Sequence, residues 1–89
     1  MGLYTVIMDY RGGTYCSQIS ARNERAAVRR WAEELDPGDV SGLGPKLVDQ
    51  LARVIREDQP VPLGSLRNVW CVTASIRGLA LINTVRTAQ

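Results

Sequence analysis

Two strand pairs, one at each end of the chain and each folded about a glycine, enclose two helical patterns and restrict the fold more than any other feature. At the N-terminal end, 3–10 (LYTVIMDY) is rich in β-branched and aromatic residues, and so is 14–20 (TYCSQIS). Gly12-Gly13 between them is a turn signal. A two-residue loop there sets Tyr10 opposite Tyr15. It groups Tyr4, Val6, Met8, Tyr10, Tyr15 and Ile19 on one face as the core side. Leu3, Thr5, Ile7, Asp9, Cys16 and Gln18 take the other face.

At the C-terminal end, 66–76 and 79–87 form the second pair about Arg77-Gly78. A two-residue loop pairs Ile76 with Leu79, Ala74 with Leu81, Val72 with Asn83 and Trp70 with Val85. The opposite face then holds Val69, Cys71, Thr73, Ile82, Thr84 and Arg86. Arginine is a poor first residue for a type I′ turn, which needs φ > 0. A bulged three-residue loop is the alternative.

Between the pairs lie two amphipathic patterns. The first starts at Asn23, a good N-cap followed by Glu24, and runs to about Leu35. Ala27, Val28, Trp31 and Leu35 form its apolar stripe. Arg29 with Glu33 and Arg30 with Glu34 have the i, i+4 spacing of surface ion pairs. Asp36-Pro37-Gly38-Asp39 ends it. The second begins at Pro45, which suits a first helical turn, and repeats Leu47, Val48, Leu51, Val54 and Ile55 on one face. Pro60 and Pro62 stop it. The expected fold is α+β, one domain over 1–89. Its order is β-β-α-α-β-β: a two-layer sandwich with a four-stranded, mainly antiparallel sheet and both helices on one face. Trp31 and Trp70 are the largest expected core contributors.

Composition then limits the chemistry. The 89 residues contain no His, which removes Ser-His-Asp and Cys-His catalysis and histidine metal sites within one chain. Cys16 and Cys71 alone cannot complete a four-ligand zinc site. They read as reduced, packed thiols, with a single disulfide as the alternative. Gly42-x-Gly44-Pro45-Lys46 lacks the Walker spacing and reads as a helix entry. No cofactor is expected. Neither a signal peptide nor an apolar run of the ~20 residues a membrane span needs is visible, so the expectation is a cytoplasmic protein with no membrane partner.

The net charge of +2 is too even a balance to argue for nucleic acid, which is not the expected partner. Charge is nevertheless uneven. No Asp or Glu follows Asp58, while Arg67, Arg77 and Arg86 do. A nucleic-acid-binding domain on that arginine-bearing hairpin is one alternative. A homodimeric structural or regulatory module is another. The principal expectation is a non-enzymatic protein-binding module. Two helices cover one face of a small sheet, and the other face is half apolar and almost uncharged, like the centre of an interface. The residues expected to meet a partner there are Ile7, Asp9, Gln18, Val69, Thr73, Ile82, Thr84 and Arg86. On that reading Thr73→Arg or Ile82→Asp abolishes partner binding and spares the fold.

The segment Asp9-Tyr10-Arg11-Gly12-Gly13-Thr14-Tyr15, then Gln18, then a helix carrying Ala27 and Trp31, is similar to short bacterial immunity proteins of polymorphic or contact-dependent toxin systems. Asn68-Val69-Trp70-Cys71 adds to the likeness. The resemblance covers most of the chain as a pattern. It implies a partner protein, a cognate toxin encoded nearby, that the chain binds and blocks. A looser likeness joins it to HicB-type antitoxins, from which it departs by its two consecutive helices and the lack of a DNA-binding appendix. Neither resemblance assigns a role to a particular residue.

Overall fold

The computed structural model describes residues 1–40 and 42–88. The strands are β1 (Gly2–Tyr10), β2 (Gly13–Ala21), β3 (Val61–Pro62), β4 (Val69–Ser75) and β5 (Leu79–Ala88). The helices are α1 (Glu24–Glu34) and α2 (Pro45–Glu57), with a short 3-10 turn at Pro37–Asp39. The expected α+β class holds, but the sheet has five strands. The added strand, Val61–Pro62, pairs with Cys71 and Trp70 of β4. Two prolines stop α2, and the extended backbone they favour then reaches the sheet edge. Strand order is β2-β1-β5-β4-β3, every pairing antiparallel, so the chain's first and last strands meet in the middle.

Local chemistry accounts for the helix ends. The Asn23 side chain accepts from the Ala26 backbone N–H at 2.8 Å, as an N-cap should. Asp36 accepts from the Gly38 N–H at 2.9 Å and holds the turn after α1. Arg30 pairs with Glu34 at 3.2 Å. The Arg29 guanidinium instead donates to the Arg56 carbonyl at 2.8 Å, tying α1 to the C-terminal turn of α2.

Both helices pack on one face of the sheet. The core joins Val6, Met8 and Tyr10 to Val28 and Trp31 of α1, and to Leu51 and Ile55 of α2. Val72, Ala74, Ala80 and Ile82 complete it from β4 and β5. Trp31 is buried there. Trp70 is half-buried in a smaller cluster beside Tyr4, ring centroids 6.2 Å apart.

Each hairpin adopts a register different from the expected one, with different consequences. In the first, Tyr10 pairs with Gly13 and Met8 with Tyr15, so the loop is Arg11-Gly12. Both loop residues have positive φ, 49° and 82°, as a type I′ turn requires. The shift is two residues, one full period of a strand, so every side chain keeps its face.

In the second hairpin the loop has three residues, Ile76-Arg77-Gly78, and Ser75 pairs with Leu79. This one-residue shift inverts β5. Ala80, Ile82 and Thr84 enter the core, and Leu79 and Leu81 leave it. The reason is room. Trp31, Leu51 and Ile55 already fill the space over the central strands, where the small Ala74–Ala80 pair fits. Ile76 is fully buried, and its carbonyl accepts the Tyr10 hydroxyl at 2.5 Å, which locks the loop.

Arg77 carries φ 56°, a left-handed conformation that Asn adopts at less cost. Arg77→Asn should therefore stabilise the fold by about 0.5–1 kcal/mol. A urea-denaturation midpoint equal to or below that of the wild type would contradict this.

Candidate functional site

The face of the sheet away from the helices carries no covering element among the described residues. Its side chains stand in cross-strand rows. Thr14, Asp9, Leu81 and Thr73 form one row, and Cys16, Ile7, Asn83, Cys71 and Val61 the next. Gln18, Thr5, Val85 and Val69 form the third. The rows divide the face in two.

On the β2 side it is polar and internally satisfied. The Thr14 hydroxyl donates to the Asp9 carboxylate at 2.7 Å, and the Gln18 amide donates to the Thr5 hydroxyl at 3.2 Å. On the β5–β4–β3 side it is apolar. Leu79 and Leu81 are 58% and 37% exposed and Val61 is 61% exposed, beside half-buried Ile7, Val85, Val69 and Cys71. Asp9 is the sole ionisable carboxylate in these rows, and it lies at the border. A cavity of about 380 Å³ adjoins the apolar side, lined by Asp58, Gln59, Val61, Leu63, Cys71 and Thr73 among others. An uncharged apolar patch with a polar rim and a neighbouring hollow can take up a complementary protein surface.

The expected partner-binding residues divide accordingly. Ile7, Asp9, Gln18, Val69 and Thr73 lie on the open face. Ile82 and Thr84 do not: they are 0% and 1% exposed, inside the helix-covered core, because the three-residue loop inverts β5. Arg86 shares their side of β5 and is half-buried opposite Tyr4, its backbone N–H bonded to the Asn68 carbonyl at 2.9 Å. In their place β5 contributes Leu79, Leu81, Asn83 and Val85. The three-residue loop is the alternative that the sequence left open at Arg77-Gly78.

The three arginines of the last hairpin do not form one patch. Arg77 sits at its turn. Arg67 precedes β4 and Arg86 lies near the end of β5, roughly 25 Å away at ~3.3 Å per strand residue. Arg77 instead neighbours Lys46 around a cavity of about 530 Å³ at the start of α2, with Arg11 packed against the adjoining Gly42.

Cys16 and Cys71 share a row but are three strand spacings apart, roughly 14 Å at ~4.8 Å each. A disulfide needs Cα atoms within ~6.8 Å, so the two do not bridge within one chain. Among the described residues no group of three or more Cys, Asp or Glu is placed to hold a metal ion, and no helix is long and apolar enough to cross a membrane. No family model, curated protein or solved structure matches this chain.

Proposed function

We propose that this chain is a non-enzymatic protein-binding module of the bacterial immunity type, acting in the cytoplasm, which blocks a cognate toxin by docking the apolar half of its open sheet face. The observation that carries this reading is the uncovered stripe of Leu79, Leu81, Val85, Ile7 and Val69, free of charge and edged by Thr and Asn. Interface centres are depleted in charge and apolar in this way, whereas a face meant only for water carries Lys and Glu. A nucleic-acid role draws less support, because the arginines that motivated it stand at opposite ends of the hairpin.

The test is growth. The open reading frame adjacent and upstream is expressed in bacteria alone, with this protein, and with its Thr73→Arg variant. Thr73 is exposed at the outer end of its row, directly beside Leu81, and a long cation there disturbs docking while leaving the core untouched. The expected result is killing by the neighbour, rescue by the wild type, and loss of rescue by a Thr73→Arg protein that is folded by circular dichroism. A harmless neighbour, or rescue undiminished by the substitution, overturns the reading. Binding to RNA or DNA with an affinity that falls steeply with salt would point instead to phosphate contacts.

A further inference from the structure

We infer that the β2 edge of the sheet is a self-association site, where a second copy of this chain pairs antiparallel, β2 to β2, and the two sheets join as one. Among the described residues the sheet order leaves β2 bonded to β1 alone. In a hairpin closed by a two-residue loop, Tyr10 and Gly13 exchange both backbone hydrogen bonds, and the pairs alternate from there. The N–H and C=O groups of Thr14, Cys16, Gln18 and Ser20 therefore point out of the sheet. Arg30 donates to the Ser20 carbonyl at 3.1 Å, and the residues that still offer both an outward N–H and an outward C=O run from Thr14 to Gln18, centred on Cys16.

What marks this edge is how little guards it. Edges are normally blunted by short length, lysine, proline or a bulge. The opposite edge follows that rule: β3 has two residues, and Pro62 has no N–H to offer. β2 has nine residues, pairs with β1 through nine consecutive positions without a bulge, and contains neither proline nor a charged side chain.

The absence of charge selects the occupant. A strand meeting its own copy antiparallel places like residues near one another, so a charged edge repels itself and a neutral one does not. A two-fold axis beside Cys16 sets Thr14 against the partner's Gln18 and Cys16 against the partner's Cys16. All three facing pairs exchange backbone bonds. Because the axis is normal to the sheet, both helix layers fall on one side and both open faces on the other. Apart from Ile7 on β1, the apolar half of each open face lies on β5–β4–β3, away from the joint, so this inference does not rest on the proposed toxin docking.

Sedimentation over a rising concentration series tests it, with Cys16→Lys as the first variant and Cys16→Pro as the second. Lys places two like charges at the axis; Pro removes an outward N–H that no bond among the described residues uses. Wild type should move from 9.8 kDa to twice that mass. Both variants should remain folded and need roughly ten-fold or more higher concentration to associate. Facing Cα atoms in a bonded antiparallel pair are ~5.5 Å apart, within reach of a disulfide. In a Cys71→Ser background, diamide, which takes up the two electrons and two protons released by the thiol pair, should therefore cross-link the dimer through Cys16. A wild type that stays monomeric at millimolar concentration overturns the proposal. So does a dimer that persists in Cys16→Lys and dissociates in Leu81→Lys, since that dimer uses the open face.

Discussion

Ile82→Asp should unfold the protein, while Leu81→Lys, one residue earlier, should leave it folded. Ile82 is fully buried between Met8 and Val72 on the helix side of the sheet. Aspartate there loses the buried aliphatic contacts and leaves a charge with no partner, at a cost of roughly 5 kcal/mol or more. A domain of this length has roughly 4–13 kcal/mol in total, at ~0.05–0.15 kcal/mol per residue. Leu81 is 37% exposed and sits opposite Asp9, so a lysine there gains a carboxylate neighbour and keeps its head group in water. Circular dichroism and urea denaturation of both variants decide the matter. A cooperative, near-wild-type transition for Ile82→Asp would mean that β5 presents its other face and that the hairpin loop has two residues. Leu81→Lys carries a second readout, because it lies in the apolar stripe: it should lose toxin rescue without losing structure.

Trp31→Ala should lower stability by about 3–5 kcal/mol, the range for removing a large aromatic from a packed core. For a domain of this size that is a fall of roughly 15–30 °C in Tm. Trp31 is 3% exposed and joins α1 to both the sheet and α2, so its removal opens a cavity that several elements line. Trp70→Ala should cost less than half as much. Its ring is half-buried beside Tyr4, and solvent can enter the space it vacates. Equal losses for the two tryptophans, measured by thermal unfolding, would place Trp70 in the main core and contradict the two-cluster packing.

The two tryptophans read alike in the sequence, and so did the two hairpins. Both tryptophans lie within apolar patterns, and pattern does not say which lies near the centre of a layer and which near its rim. Both hairpins contain a glycine turn, and a two-residue loop at each predicts the register. In the first the real loop begins one residue earlier, which moves the pairing by two and preserves faces. That is why Ile7, Asp9 and Gln18 keep the open side that the sequence predicts for them. In the second the loop has three residues, which moves the pairing by one and exchanges Ile82 and Thr84 for Leu81 and Val85. Side-chain direction in a strand has period two, so an even error is harmless and an odd one inverts half the candidate surface.

Sequence alone determined what short-range chemistry controls. Asn23, Pro45 and the 3.6-residue stripes delimit the helices, β-branched runs mark the long strands, although β4 begins at Val69 and not at Leu66, and the lack of histidine removes whole classes of catalysis. Tertiary structure alone decided which face of β5 is buried, that 61–62 adds a fifth strand, that β1 and β5 meet at the centre, and that β2 is left at an edge. These depend on the volume that Trp31, Leu51 and Ile55 occupy above the sheet and on pairings between residues up to 85 positions apart, such as Leu3 with Ala88. Neither is encoded in any local window: packing is settled only when all the layers compete for the same space.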